Sequence, residues 1–220
     1  MDRLYFDVAH LFAGSLVLTS FMLLYQDRMS GLINVFMLQA VILSFSVGWQ
    51  AYAQHAPHLY LTAAIALVFK ALVIPIALRN MIVRLGIHRE IEIIGGVGVT
   101  MLLGIALVGL SLAIVLPATA TADPLAREDI AFALSVVLLG LLMMVTRRNA
   151  VSQVIGFMSL ENGLILAAAG AKGMPLVVEI SVAFSVLIAF IVIGIFLFRI
   201  RERFDTVDVQ ELDRVRERPR

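Results

Sequence analysis

"TRRNAVSQVIGFMSLENGLIL", residues 146–166, sets a basic loop against the start of an apolar run of membrane length. About ten residues into that run stands a carboxylate, Glu161. An ionisable side chain at mid-bilayer costs at least about 2.5–3.5 kcal/mol on insertion scales, so it faces other protein or a wet cavity. The run is one of seven. Stretches of about 20 apolar residues match the thickness of a bilayer core. They fall at about 5–25, 31–52, 59–81, 93–116, 129–145, 151–170 and 175–198. The whole chain is 61% hydrophobic and only 15% charged, where a soluble domain carries roughly 25% charged residues. The expected fold is an all-α integral membrane protein of about seven transmembrane helices. It divides into a four-helix part (1–116), a three-helix part (129–198) and a charged tail (199–220).

Charge at the helix ends gives the expected orientation. With the N-terminus outside, the inner segments hold Arg28, Arg79, Arg84, Arg89, Arg147, Arg148 and seven arginines from Arg199 onward. The outer segments hold only Arg3, Arg127 and Lys172. Cytoplasmic loops carry the excess of Lys and Arg, which places the C-terminus in the cytoplasm. The first run begins "MDRLYFDVAH" and continues past the length of a signal-peptide core, so it is expected to be a retained helix.

Several chemistries lack their residues. The chain has no cysteine, which excludes thiolate ligation of iron–sulfur clusters by this chain, and disulfides. His10, His55, His58 and His88 are scattered over a span and loops; those of "QHAPH" (54–58) read as solvated loop residues rather than metal ligands. "GGVGVTMLLG" (95–104) lies within a span, not between a strand and a helix, so it is no dinucleotide fingerprint. Its glycines are expected at a close helix–helix contact.

Polar groups inside the spans carry the functional signal. Lys70 lies mid-span in "IALVFKALVIPIAL", at a depth similar to Glu161, and would pair with it if the third and sixth spans are neighbours. Pro75 removes the backbone hydrogen bond to the carbonyl of Ala71, beside the lysine. Glu179 lies about one turn into the last span. Asp7 and His10 read as interfacial. Around Glu161, the small residues Ser152, Gly156, Ser159 and Gly163 form a stripe on one helix face, where a neighbouring helix or bound water can approach. Gln153, Ser159 and Asn162 add hydrogen-bonding side chains. "DRMSGLINVFMLQAVIL" (27–43) echoes the opening stretch, with Gln39 about where Glu161 falls; four spans separate the two, so such a repeat would be parallel.

"RRNAVSQVIGFMSLENG", with seven spans at this length, resembles hydrogenase-4 component E, a membrane subunit of group 4 nickel–iron hydrogenases and formate hydrogenlyase-type complexes. The last three spans also resemble the NuoK-type subunit of respiratory complex I and the related MrpC-type antiporter subunit. There, a basic loop precedes a helix with a mid-membrane glutamate, and a second glutamate follows on the next helix. By that resemblance Arg147, Arg148 and Asn149 match the loop, Glu161 the first glutamate and Glu179 the second. The spacing departs: Glu161 follows Asn149 by about one turn more than in the small subunits, and Glu179 lies nearer the outer end. Lys70 has no counterpart in a three-helix subunit.

The resemblance implies a subunit that is not itself an enzyme, in a prokaryotic inner membrane. Its partners would be antiporter-like and other membrane-arm subunits and a cytoplasmic hydrogenase arm. This chain would hold no cofactor; the partners would hold the nickel–iron centre and the iron–sulfur clusters. Glu161 would be the relay carboxylate, Lys70 its coupled cation, Glu179 a further proton-transfer group, and Arg147 and Arg148 docking or charge-coupling residues. The tail docks on a cytoplasmic subunit or is solvated. Two other roles fit the same residues: an autonomous small ion or solute transporter, and a structural membrane subunit with no part in proton movement.

Overall fold

The computed structural model describes residues 2–85, 93, 95–119, 124–170 and 187. Glu179, the expected seventh span and the charged tail lie outside the described residues. Within them the protein is helical throughout, apart from an isolated bridge between Ile93 and Arg147. The helices are α1 (Asp2–Tyr25), α2 (Met29–Ala53), α3 (Pro57–Ile65), α4 (Ile74–Leu85), α5 (Gly96–Ala118), α6 (Pro124–Thr146) and α7 (Ala150–Gly170). A π-helical segment, Ala66–Val73, joins α3 to α4 without a break. This gives six helices, among the described residues, that are long and apolar enough to cross a membrane, consistent with a transmembrane bundle.

α2 is the axis. It packs against α1, α7 and the whole α3–π–α4 span, while α6 packs against α1, α5 and α7. Phe36, Leu43 and Val47 of α2 lie in one core with Leu16 of α1, Ile74 of α4, Leu139 of α6 and Ile155 of α7. α5 is peripheral and turns Leu102, Leu103, Ile105, Leu110 and Ile114 outward. Apolar side chains facing outward are what a hydrocarbon solvent permits.

Helix ends show which loops share a face. Arg147, just past α6, reaches the end of α1, so the loops at 26–28 and 147–149 lie together at what is here termed the basic face. At the opposite face Tyr5, Trp49 and Tyr52 cluster, with ring centroids 5.6–6.1 Å apart. Trp49 Nε1 donates to the Tyr5 carbonyl at 3.2 Å. Trp and Tyr favour the membrane–water boundary, where one edge is apolar and the other wet.

The closest helix contact is α6 on α7, and glycine makes it. A Cβ on Gly140 would lie 2.6 Å from the Leu160 nitrogen, and one on Gly163 would lie 2.8 Å from the Ala133 carbonyl oxygen. Gly156 sits slightly less tightly against Met144, whose Cγ would lie 3.0 Å from a Cβ there. The expected small-residue stripe therefore splits: its glycines meet α6, while Ser159 turns to α2. The expectation for the glycines of 95–104 needs correction. Among the described residues, only Gly104 sits at a contact, against Phe21 and Leu139. Gly95 and Gly96 both have φ of +81°, a conformation that side chains disfavour, and start α5; Gly98 has nothing within 4 Å among the described residues.

This packing makes a testable contrast. Gly140→Ala should lower stability by about 1–3 kcal/mol through overpacking against backbone that cannot yield. Gly109→Ala, with nothing within 4 Å among the described residues, should not. Thermal melts in detergent measure both; equal melting temperatures for the two variants would refute the tight α6–α7 seam.

Candidate functional site

Lys70 and Glu161 meet at the centre of the bundle. The ammonium Nζ lies 3.2 Å from Oε2 of Glu161, with the side chains 1% and 4% exposed. The same Nζ donates to Oδ1 of Asn162 at 2.8 Å. Neither charge is tolerable here by itself, since the Born cost of burying an isolated ion is severalfold larger than any single contact returns. Together, with an amide oxygen as second acceptor, they form a neutral unit.

The backbone around Lys70 explains how it reaches α7. Pro75 has no N–H to give, and a regular ladder would leave the Ala71 carbonyl without its donor. The span instead adopts the wider π turn from Ala66 to Val73, closed by the Ile74 nitrogen bonding the Phe69 carbonyl. Such π stretches are rare and cluster at functional sites.

From the pair, hydrogen bonds continue without a gap. Asn162 Nδ2 donates to Gln39 Oε1 at 3.2 Å. Gln39 Nε2 donates to Ser20 Oγ at 2.8 Å and to Ser159 Oγ at 3.0 Å. Ser20 Oγ in turn donates to the Leu16 carbonyl at 2.8 Å. All of these side chains are buried. α1, α2, α7 and the π segment each contribute a group, so the network draws four spans together at mid-depth. Its direction is set: Asn162 accepts from the lysine and donates to Gln39, so both ends of its amide are used.

The "RRN" loop does three different things. Arg147 is buried and turned inward, where Nη2 donates to the carbonyls of Leu23 at 3.1 Å and Leu24 at 2.7 Å. It thus caps the C-terminus of α1, where carbonyls lack helical donors and the dipole favours a cation. Burial pulls its guanidinium down to about 10, with Asp27 opposing the shift, so it stays charged at neutral pH. Arg148 is exposed. Asn149 Oδ1 accepts from the Val151 nitrogen at 2.8 Å, an N-cap for α7. Gln153 is exposed and donates to the Arg147 carbonyl at 2.9 Å, closing the loop on itself.

A second polar cluster, at the end opposite the basic face, joins His10 to residues that the sequence did not single out. Asp129 on α6 is 0% exposed. Gln50 Nε2 donates to its Oδ2 at 3.0 Å; Gln54 Nε2 donates to Gln50 Oε1 at 2.9 Å and to the Ala169 carbonyl at 2.8 Å. His10 Nδ1 lies 2.8 Å from Glu128 Oε2, both half-exposed. The available signal was the spacing of Gln39, Ser46 and Gln50, which puts three polar residues on one face of α2. Among the described residues no group of three His, Cys, Asp or Glu has the arrangement of a metal site.

No protein-family model matches the chain, and no solved structure matches it. It is similar to the uncharacterized protein Rv0085 of Mycobacterium tuberculosis, with 28% identity over 207 residues, or 93% of this chain and 94% of that one. The likeness runs along nearly the whole length of both chains and assigns no family.

Breaking one side of a buried pair should cost about 3–5 kcal/mol, because the other charge is left uncompensated. Lys70→Met is therefore expected to lower the melting temperature sharply, and the Lys70→Met/Glu161→Gln double variant to recover much of the loss. Simple additivity of the two single variants in a double-mutant cycle would rule out the direct pairing.

Proposed function

We propose that the chain is a membrane-arm subunit of a group 4 nickel–iron hydrogenase or formate hydrogenlyase-type complex, where the Lys70–Glu161 pair takes part in proton translocation. The observation that carries this reading is a complete ion pair at mid-membrane joined to a directed hydrogen-bond network across four spans. Such a pair is a poor stabiliser, since an apolar replacement of equal volume packs as well or better. Its presence favours a task that needs charge inside the membrane. The resemblance of "RRNAVSQVIGFMSLENG" to hydrogenase-4 component E names the task.

The chemistry follows from the geometry. With Lys70 as ammonium and Glu161 as carboxylate, the pair is a donor and an acceptor in contact. Passing one proton from Nζ to Oε2 converts two charges into two neutral groups, with no change in net charge. In a low-dielectric surround the balance between these forms responds to a charge a few ångströms away. A protonation change in an adjoining antiporter-like subunit would therefore tip the pair, and the pair would tip the next group in line. Partner subunits would hold the nickel–iron centre, the clusters and the electron path. The N-terminus would lie outside, the basic face and the C-terminus in the cytoplasm of a prokaryotic cell, with seven spans in all and Glu179 as a further proton group. Arg148, exposed at the basic face, would meet the cytoplasmic arm; Arg147 would hold the loop that presents it.

Gentle solubilisation of native membranes, size exclusion and mass spectrometry should yield a large assembly with antiporter-like subunits and a nickel–iron large subunit. In that assembly, Glu161→Gln should leave redox turnover intact and abolish proton translocation in vesicles. A lone small oligomer that transports ions by itself would overturn the subunit reading. Full translocation in an intact Glu161→Gln complex would leave only a structural role.

A further inference from the structure

The central network leaves one buried carboxylate unused. Asp129 lies between α1, α2, α6 and α7, and a Cβ on Gly170 of α7 would lie 3.2 Å from its Oδ2. Gln50 supplies that oxygen with its donor. The other oxygen, Oδ1, is fully buried and has no hydrogen-bond partner among the described residues. A buried acceptor without a protein donor carries a proton itself or binds ordered water.

Its surroundings differ on two sides. Toward solvent, the charged groups that act on Asp129 are His10 of α1 and Glu128, its neighbour on α6. Those two touch each other at 2.8 Å and are half-exposed. Toward the bundle, α2 offers Gln50 and α7 offers Gly170, and neither titrates. Behind Gln50, the α2 face continues through Ser46 to Gln39, at spacings of four and seven residues that keep all three on one side. All three are buried. Ser46 Oγ, like Oδ1 of Asp129, has no partner among the described residues. Gln39 already belongs to the network of Lys70 and Glu161. The climb from Gln50 to Gln39 is about 16 Å at 1.5 Å per residue, a length for a short file of ordered water.

We infer that Asp129 is a second proton-carrying carboxylate. It exchanges protons with water at the face opposite Arg147 through His10 and Glu128, and passes them along the Gln50–Ser46–Gln39 face of α2 to the Lys70–Glu161 pair. The inference rests on the proton role proposed for that pair. Each step moves one proton: Asp129 takes it at Oδ1 from the His10–Glu128 pair and yields it to water on the α2 face, and the surface pair recovers one from bulk water. Only O–H and N–H bonds form and break. The amides of Gln50 and Gln39 orient that water and do not titrate.

The test uses native membranes holding the intact assembly. Dicyclohexylcarbodiimide, an apolar reagent that attacks protonated carboxyls, should modify Asp129, read by mass spectrometry of the peptide around it, and less so as pH rises. Asp129→Asn keeps an acceptor for Gln50 and the side-chain volume but cannot carry a proton. It should abolish proton translocation while redox turnover persists. If Asp129→Asn translocates normally where Glu161→Gln does not, the inference falls and the proposed function stands. If both variants translocate normally, both fall. An Asp129 that never reacts from acid to alkaline pH would also overturn it. Should Asp129→Asn not accumulate, half-exposed Glu128→Gln decides: slowed translocation supports the route, and an unchanged rate refutes it.

Discussion

One ammonium and one carboxylate, buried in a bundle with almost no other charge, impose most of the architecture. Lys70 and Glu161 must stay within contact, because either charge left uncompensated would consume a large part of a typical protein's margin of stability. That requirement holds the third span opposite α7 at a set depth. The π segment gives Lys70 its position, and Asn162 gives the ammonium a second acceptor. Glycines at 140, 156 and 163 then bring α7 so close to α6 that it cannot slide along its axis. Gln39 of α2 ties the pair to Ser20 and Ser159, so a shift in any of four spans breaks a buried hydrogen bond.

The helix ends obey the same economy of polar groups. Carbonyls at a helix C-terminus have no helical donor, and where water is scarce they need a side chain. Arg147 serves the end of α1, and Gln54 the end of α7 through the Ala169 carbonyl. Each donor comes from a segment remote in sequence, so each cap is also a tertiary tie. An arginine suits the first, because its Nη2 reaches both carbonyls at the tip of a long stem that fills apolar space. The polar residues of this bundle are therefore its connectors, and the apolar ones are filling that many substitutions would serve equally.

How much of this was legible in the sequence differs residue by residue. Six of the expected spans agree with helices, since a run of twenty apolar residues has few other uses. Lys70 and Glu161 stood out because charge inside such a run is costly, and Gln39 through its echo of Glu161. Their contact was not legible. Apolar side chains face lipid and protein alike, so hydrophobic periodicity does not mark which faces meet. Asp129 was hidden for another reason: a carboxylate at the mouth of a span reads as interfacial until the fold buries it. Arg147 and Arg148 looked equivalent, yet successive residues at a helix end point apart, and only one reaches the α1 carbonyls.

The two titratable centres also differ in what a proton does to them. At Lys70 and Glu161 a proton passing between partners would change how far charge is separated but not the net charge. Such a site senses a neighbouring charge well, but it neither draws a proton from water nor returns one by itself. At Asp129 the carboxylate has an amide donor on one oxygen and none on the other among the described residues. A proton arriving there changes the net charge outright. A switch without a supply does no transport, and a supply without a switch leaks. The α2 face that carries Gln39, Ser46 and Gln50 touches both centres, Asn162 beside the pair through Gln39 and Asp129 through Gln50, and is the connection that the proposed proton route would need.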